Sequence, residues 1–338
     1  MVGRGGKTEM LKRCRPLIYT LFSCVVLFYA LAFLLTGSTE NRFATTTIDF
    51  TPPDAQARSR AIGYAENLVP ELKKALGDDS AFEPIAVPRS GDWLATHKEP
   101  GQTYAQYLKS NPNRPDRRRN IIYLLPLDEF ESPALKDLAA CMEAFYGLRT
   151  EVLRLMPIQG LGIKTRIHPQ TQQRQVLTTD LLSLLKTKLP ENAYCLLGVT
   201  MTDLYPAESW NFVFGQASLQ DRVGVYSFAR YQPGFPGAGA PNVAKARMFR
   251  RSVKTLLHET AHMFGMQHCI YYRCLVNGSN HLQETDAVPL HFCPVCLRKS
   301  FRANPELPSV RYPRIAATFR DVGLTKEAEW FEARVRTK

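Results

Sequence analysis

The stretch "LLHETAHMFGMQHCIYYRC" at residues 256–274 contains three of the chain's seven histidines and two of its eight cysteines. His258 and His262 are four positions apart, so on a helix both imidazoles leave the same face, one turn apart. Gly265 can take positive φ and turn the chain sharply where such a helix ends. This turn brings His268 back towards the other two, and the spacing therefore predicts three histidine ligands around one metal ion.

Glu259 lies beside the first histidine, where its carboxylate can reach a water on the metal rather than the metal itself. Three histidines leave the fourth corner of a zinc tetrahedron open to water, as in catalytic zinc sites. A carboxylate beside such a water can act as its general base. The chain carries no competing nucleophile motif such as G-x-S-x-G. We therefore expect a zinc-dependent hydrolase that cleaves peptide bonds, with Glu259 as the catalytic base.

The eight cysteines fall into two groups. Four are scattered along the chain and do not suggest a disulfide framework: Cys14, Cys24, Cys141 and Cys195. The other four form two pairs directly after the histidines, separated by a loop: Cys269, Cys274, Cys293 and Cys296. Two such pairs predict a closed, structural four-thiolate zinc site in a reducing compartment, whereas disulfides become the competing interpretation in a secretory lumen. The sequence thus predicts two zinc ions per chain.

An uncharged, apolar run of nineteen residues, 17–35, follows a basic N-terminal segment at residues 1–16. Nineteen residues suffice to cross a bilayer as a helix, and the basic flank favours a cytoplasmic N-terminus with the body on the far side. We therefore predict a single-pass transmembrane helix or signal anchor at residues 17–36. A polar stretch follows, and residues 37–90 are interpreted as a linker and N-terminal extension.

A cleaved signal peptide is the alternative interpretation of this N-terminus. Ala30 and Ala32 give the small-x-small form of a cleavage site, behind an apolar stretch of signal-peptide length. Against cleavage, the apolar run continues past that site through Phe33, Leu34 and Leu35. Cleavage would give a secreted or soluble chain.

The chain is basic, with a formal net charge of +12, which suggests nucleic acid or an anionic membrane as a partner. Much of this charge is concentrated in the N-terminal segment and in a cluster of arginines within residues 114–119. No aromatic-interleaved basic stripe or nucleic-acid motif accompanies it. We therefore expect no nucleic-acid partner. The expected partners are a peptide or protein substrate and, through the N-terminal helix, the membrane. The chain is expected to be a monomer.

Apolar periodicity predicts a mixed α/β domain, in which strands and helices alternate and lead into the histidine segment. Strands are predicted at 119–127, 148–156, 193–201 and 221–231, and helices at 132–147, at 178–189 and from about 243 onwards. The last helix carries the histidines. The strand "VGVYSFARY" at 223–231 would give an edge to which an extended peptide substrate can add. Residues 301–338 are expected to form a C-terminal helical tail.

Several blocks of the sequence resemble the archaemetzincins, the metzincin-like zinc peptidases with an added cysteine site. The first blocks are "GDWLATHKEPGQT" (91–103), "FYGLR" (145–149) and "VTMTDLYPAESWNFVFGQASLQDRVGVYSFARY" (199–231). The resemblance continues through the histidine motif to "CLVNGSNHLQETDAVPLHFCPVCLRK" (274–299). It covers roughly residues 90–300 and looks most like the eukaryotic members.

The resemblance implies a metzincin-like α/β (α+β) zinc peptidase domain at residues 91–300, with a mixed sheet, an active-site helix and a C-terminal cysteine zinc subdomain. It also implies a catalytic zinc on His258, His262 and His268, with Glu259 as general base. The second, structural zinc would lie on Cys269, Cys274, Cys293 and Cys296.

Two positions depart from the family's pattern. The family's C-x-M-x-G-S turn places a methionine beneath the catalytic zinc, whereas this chain has the smaller and stiffer Val276, so the floor of the site would be looser. The family usually has glycine before the second histidine, and Ala261 in this chain suits a helix better. Asn277, Gly278 and Ser279 also form a glycosylation sequon, which we interpret as a chance match of turn residues.

Two classes of function follow from these observations. The leading hypothesis is a zinc metallopeptidase that uses a metal-activated water and a glutamate base, with aminopeptidase-like action on short peptides. The alternative is a zinc-stabilised binding or scaffold protein with weak or lost peptidase activity. Val276 supports the alternative, and the intact Glu259 argues against it.

Overall fold

The structure is a computed structural model that describes residues 48–235 and 244–336. The basic segment at 1–16 and the predicted transmembrane helix or signal anchor at 17–36 lie outside the described residues. In the part of the chain that is described, no helix is both long enough and apolar enough to cross a bilayer.

Within these residues the chain forms eight strands and eleven α-helices. The strands are β1 (Ile121–Leu127), β2 (Thr150–Val152), β3 (Thr165–Ile167), β4 (Arg174–Leu177), β5 (Ala193–Thr200), β6 (Asp203–Tyr205), β7 (Gly215–Ser218) and β8 (Val223–Ser227). The helices are α1 (Ala55–Ile62), α2 (Pro70–Leu76), α3 (Trp93–Thr96), α4 (Tyr104–Lys109), α5 (Leu135–Tyr146), α6 (Thr178–Lys188), α7 (Ala244–Met263), α8 (Leu282–Ala287), α9 (Pro294–Ala303), α10 (Pro308–Asp321) and α11 (Thr325–Arg336).

The main sheet has five strands in the order β2-β1-β5-β8-β7. The first four run parallel, and β7 pairs antiparallel with β8. Every residue of β1 and β5 is buried, as expected of parallel strands that are covered on both faces. A second sheet of three strands has the order β3-β4-β6. The mixed α/β architecture predicted from the sequence is therefore confirmed.

The strand predicted as a substrate-binding edge lies inside the main sheet. β8 pairs with β5 on one side and with β7 on the other, so its backbone groups are already used. The prediction of a free edge at 223–231 is therefore wrong, and β7 is the last strand at this end of the sheet. β8 also ends earlier than predicted, at Ser227, because Ala229–Tyr231 form a one-turn 3-10 helix.

Helices cover both faces of the main sheet. On one face, α5 and α7 share a core with sheet residues such as Ile122 and Leu197. On the other face, Leu181 and Leu185 of α6 pack with Val225 of β8. The apolar side of α7 is thus fixed against the sheet, which positions the histidines near its C-terminal end.

Helices from both ends of the described chain pack onto this body. α1 and α2, in the segment predicted as linker and extension, contact α9. Arg298 of α9 donates to the carbonyl oxygens of Ile62, the last residue of α1, and of Tyr64, two positions later, at 2.5 Å each. Near the C-terminus, α10 packs on α5, and the Arg311 guanidinium donates to the carbonyl oxygen of Phe145 at 2.8 and 2.6 Å.

Local signals determine where helices near the site begin and end. α5 ends at Tyr146 because Gly147 takes a φ of 65° and returns its N–H to the carbonyl oxygen of Glu143. α4 begins after a capping box in which Thr103 and Gln106 each bond the other's backbone N–H. This box fixes the chain directly after the segment at 91–103.

Candidate active site

The three histidines of the motif come together at the end of α7. His258 and His262 lie in the last two turns of the helix. Gly265 then takes a φ of 80°, and a Cβ added to it would lie 2.7 Å from Pro112 Cβ, so both the backbone and the space require glycine. The chain turns there, and the ring of His268 returns to within 5.4 and 5.0 Å, between centroids, of the other two rings.

The spacing of the ring nitrogens matches a zinc site. One ring nitrogen from each of His258, His262 and His268 lies within 4.8 Å of the others. His258 Nε2 and His262 Nε2 are 3.0 Å apart. In a tetrahedral zinc site with Zn–N distances near 2.0–2.1 Å, ligand atoms are roughly 3.3 Å apart. The three histidines thus fit around one zinc ion.

Hydrogen bonds through Nδ1 orient the two helix histidines. His258 Nδ1 lies 2.8 Å from the carbonyl oxygen of Leu275, and His262 Nδ1 lies 2.6 Å from that of Met266. A carbonyl oxygen can only accept, so in each ring Nδ1 donates and Nε2 carries a lone pair. Two lone pairs then face each other at 3.0 Å, an arrangement that a bound cation stabilises and a hydrogen bond does not.

His268 is oriented by a carboxylate instead. Its Nδ1 lies 2.7 Å from Glu99 Oε1, which also accepts the indole N–H of Trp93 at 2.8 Å. Burial alone would raise the pKa of Glu99, but the hydrogen bonds from His268 and Trp93 hold it below its ordinary value. His268 Nε2 is buried and has no hydrogen-bond partner among the described residues. A bound metal ion would supply the partner that this nitrogen lacks.

Burial keeps the helix histidines neutral. Desolvation, aided by the neighbouring histidines, lowers the pKa of His258 well below its ordinary value and that of His262 to about 3. Neutral imidazole is the form that binds a metal. Both side chains are therefore ready ligands near neutral pH.

Glu259 is buried beside the histidines, with 2% of its surface exposed. Its Oε2 atom has no hydrogen-bond partner within residues 48–235 and 244–336. Burial raises the pKa of Glu259 to about 8, and a cation at the histidines would oppose this effect. Together with His258 it lines a cavity of about 10 Å³, room for about one water. An unpaired carboxylate thus borders a water-sized space next to His258, and the residues that line this space do not include His262 or His268.

The four cysteines that follow the histidines also converge. Their Sγ atoms lie within 4.8 Å of one another, all are buried, and none forms a disulfide: Cys269, Cys274, Cys293 and Cys296. Cys293 is the N-cap of α9 and Cys296 lies in its first turn, where the helix dipole favours a thiolate. Cys269 Sγ and Cys293 Sγ are 3.5 Å apart. The cluster therefore has the composition and the closeness of a four-thiolate metal site.

The pKa values of the thiols in this cluster are shifted in different directions. Burial raises the pKa of Cys274 and of Cys293. Burial acts on Cys269 as well, but hydrogen bonds from the other three thiols outweigh it and hold the Cys269 pKa well below its ordinary value. Four sulfur atoms grouped closely and away from water fit a soft cation such as zinc.

The turn after Cys274 holds both clusters in place. The Asn277 amide donates to the carbonyl oxygens of Cys269 and Tyr272, at 2.7 and 3.0 Å, and accepts the N–H of Cys274 at 2.7 Å. Val276, which is fully buried, accepts the N–H of Cys269 through its carbonyl oxygen at 2.8 Å. The amide of the sequon is thus used within the turn, in line with its interpretation as a chance match.

Sequence reasoning gave no role to three residues that contact the site. Trp93 and Glu99 hold His268, while Gln102 donates to the carbonyl oxygen of Gly265 at 3.1 Å and accepts the N–H of Gln267 at 3.2 Å. All three lie in the stretch "GDWLATHKEPGQT", which drew notice only through the family resemblance. Glu99 and His268 are 169 positions apart, so no local spacing could pair them.

Comparisons with known proteins find one family profile, several sequence relatives and solved structures. A profile described as Peptidase family M54 matches residues 179–302, which include the histidines and the cysteine cluster. Archaemetzincin-2 of Macaca fascicularis is 38% identical over 251 residues, covering 64% of this chain and 69% of that protein. Archaemetzincin-1 of Homo sapiens is 34% identical over 238 residues, covering 62% of this chain and 48% of that protein. The crystal structure of an archaemetzincin from Archaeoglobus fulgidus, complexed with malonate, is 29% identical and covers 53% of this chain and 99% of that one, with a TM-score of 0.41.

Proposed function

Because this chain belongs to the archaemetzincin family and is a zinc metallopeptidase, we propose that it hydrolyses peptide bonds at the site formed by the three histidines, with Glu259 as general base. The observation that carries this proposal is the convergence of the three imidazoles beside an unpaired, buried carboxylate. Such an arrangement combines a metal site that has an open position with a nearby proton acceptor.

The Nε2 atoms of His258, His262 and His268 would hold the zinc ion. When bound, zinc acts as a Lewis acid that polarises the scissile carbonyl and lowers the pKa of a water molecule. Each imidazole is kept in orientation by the oxygen that accepts its Nδ1–H, which leaves the Nε2 atoms free to bind a metal ion within a cluster 4.8 Å across. The protein thereby limits the reorganisation that metal binding requires.

Glu259 would move the proton during hydrolysis. Its Oε2 atom accepts a proton from the attacking water and passes it to the amine nitrogen of the leaving peptide, so no covalent intermediate forms. Support comes from the absence of any partner for Oε2 among the described residues, since an atom already hydrogen-bonded would be a poorer base.

For the substrate, we propose short peptides cleaved in an aminopeptidase-like manner. His258 and Glu259 are only 5% and 2% exposed, which disfavours contact with the surface of a folded protein. Peptides with a free amino terminus and the same peptides with an acetylated one distinguish the modes of action. Faster turnover of the free peptides supports the aminopeptidase mode, and equal rates contradict it.

A second zinc ion, on Cys269, Cys274, Cys293 and Cys296, is proposed to be structural. Support comes from the closed, buried arrangement of four sulfur atoms, which leaves no place for a substrate. In a reducing compartment the stoichiometry is two zinc ions per chain, one at each cluster, whereas in an oxidising lumen disulfides compete for the four thiols.

We further propose that residues 17–36 form a single-pass membrane anchor with a cytoplasmic N-terminus and that the body is monomeric. The support is the uncharged run behind a basic flank. Signal cleavage, with release of a soluble chain, is the competing outcome.

The proposed peptidase activity is tested by turnover of a peptide library by the full-length chain, with and without a chelator, while zinc content is measured in parallel. Turnover should disappear when the histidine zinc is removed and return when zinc is restored. A chain that holds zinc at the histidines and cleaves no peptide would support the alternative, a zinc-stabilised binding or scaffold protein.

A further inference from the structure

A carboxylate from the segment that precedes the main sheet contacts the third histidine. Glu99 Oε1 accepts the Nδ1–H of His268 at 2.7 Å, and the two side chains are only 18% and 10% exposed. The Nδ1 partners of the other two histidines are backbone carbonyl oxygens. A carboxylate in this place fixes the ring and also raises the basicity of the opposite nitrogen.

Trp93 holds the carboxylate in position. Its indole N–H donates to Glu99 Oε1 at 2.8 Å. The ring stands edge-on to His268, with centroids 5.1 Å apart, and stacks on His97 at 3.6 Å. One indole therefore contacts both members of the Glu99–His268 pair.

The turn that follows Cys274 contains Gly278, and this glycine leaves room for the Trp93 indole. A Cβ added to Gly278 would lie 2.5 Å from both Cδ1 and Nε1 of Trp93, closer than side-chain atoms approach one another. The Trp93 ring therefore lies directly on the backbone of Gly278 and leaves no space for a larger residue.

A second carboxylate fixes the backbone of Trp93. Glu284 of α8 accepts the Trp93 N–H at 2.9 and 3.1 Å and the Asn280 N–H at 2.7 Å. Asp92 and His281 lie beside it and bond each other at 3.1 Å. These three side chains are grouped as closely as metal ligands, but their polar atoms are engaged in hydrogen bonds within the protein. The group therefore acts as an anchor for α3.

We infer that Glu99, held by Trp93, is a positioning residue for the zinc ligand His268, so that the segment at 91–103 completes the metal site. This inference rests on the proposed zinc site at the three histidines. Glu99 keeps His268 Nε2 directed to the metal, and its negative charge strengthens the imidazole–metal bond. The family profile matches residues 179–302, a range that does not include Trp93 or Glu99. The matched part by itself therefore lacks the support that these two residues give to His268.

Zinc affinity of the full-length chain, measured by competition with a chromophoric chelator, tests this inference without reference to turnover. Glu99→Ala should weaken binding at the histidine site by about 10–100-fold, the usual effect of removing an outer partner of a ligand. Glu99→Gln keeps an oxygen that can accept the Nδ1–H and should lie between Ala and wild type. Trp93→Phe keeps an aromatic ring but lacks the indole N–H, and should cause a smaller loss of zinc affinity than Glu99→Ala.

Glu83→Ala is the matched control. Glu83 belongs to the same N-terminal part of the chain, and its carboxylate bonds Arg273 at 2.7 Å in an exposed pair. It should leave zinc affinity unchanged. The visible spectrum of the Co²⁺-loaded histidine site should shift in the two Glu99 variants and stay constant in Glu83→Ala.

Wild-type affinity and spectrum in either Glu99 variant would overturn the inference, and so would an equal loss in Glu83→Ala. If Glu99→Ala fails to fold, Glu99→Gln carries the test. A wild-type chain without zinc at the histidines would contradict both this inference and the proposed function. Zinc that binds as expected, weakened by Glu99→Ala, in a chain without peptide turnover would contradict the proposed function alone.

Discussion

The Nδ1 atom of His258 donates a hydrogen bond of 2.8 Å to the carbonyl oxygen of Leu275, which directly follows Cys274 in the chain. On the other side of the site, His268 directly precedes Cys269. Two of the three histidines are thus coupled to the cysteine cluster, one through a hydrogen bond and one through a peptide bond. The cysteine cluster therefore supports the histidine site mechanically.

Replacing Cys293 and Cys296 together by serine should remove one zinc ion per chain. Because the binding energy of a closed zinc site is folding energy, the melting temperature should fall by about 10 °C or more. Peptide turnover should fall as well, since the Leu275 carbonyl and His268 both lose their support. Elemental analysis, thermal melting and peptide turnover measure the three effects.

Cys195→Ala is the control for that double variant, because Cys195 is a buried thiol of β5 outside the cluster. It should lower the melting temperature slightly and leave the zinc content unchanged. Two disulfides and a single zinc in the purified wild type would contradict the thiolate site and indicate an oxidising compartment.

Replacing His258 and His262 together by alanine should remove the other zinc and all peptide turnover. The loss of stability should be smaller than for the cysteine pair, because α7 keeps its packing against the sheet. His168→Ala, which removes a buried histidine that caps a loop elsewhere, should retain both zinc ions. Unchanged zinc content in the double variant would show that the metal lies elsewhere.

Gly278→Ala should displace the Trp93 indole, since the new Cβ would lie 2.5 Å from it. The expected result is weaker zinc binding at the histidines, because the indole no longer holds Glu99. Gly77→Ala is the comparison: its Cβ would meet the carbonyl oxygens of Lys73 and Lys74 at 3.4 and 3.9 Å, ordinary contact distances, so it should be neutral or slightly stabilising. Chelator competition on both variants checks this, and equal zinc affinities would contradict the proposed contact.

The proposed anchor at 17–36 should keep the full-length chain in the membrane fraction after carbonate extraction. Protease added from the cytoplasmic side should spare the body, because the basic flank favours its translocation. A shortened, soluble chain that begins near Phe33 would show that a signal peptide is cleaved instead.

The sequence predicted the features that depend on local spacing. Two histidines one helical turn apart, followed by a glycine with positive φ, are enough to bring a third histidine back. The uninterrupted apolar runs of β1 and β5 likewise predict that both strands are buried.

Features that depend on distant contacts could not be predicted in this way. The interior place of β8 follows from its pairing with β7, whose four residues "GQAS" carry almost no strand signal. The roles of Trp93 and Glu99 depend on partners that lie close only after the chain has folded. α1, with the sequence "AQARSRAI", has a weak apolar pattern and is held by Arg298 and by packing on α9.

Replacement of Glu259 by glutamine is the measurement that tests the central claim most directly. The amide keeps the size of the side chain but cannot accept a proton, so zinc should stay bound while turnover falls by about 10²–10⁴-fold. Glu143→Gln, at an exposed carboxylate that accepts the backbone N–H of Thr150, should retain wild-type rates. Full peptide hydrolysis by zinc-loaded Glu259→Gln would contradict the account.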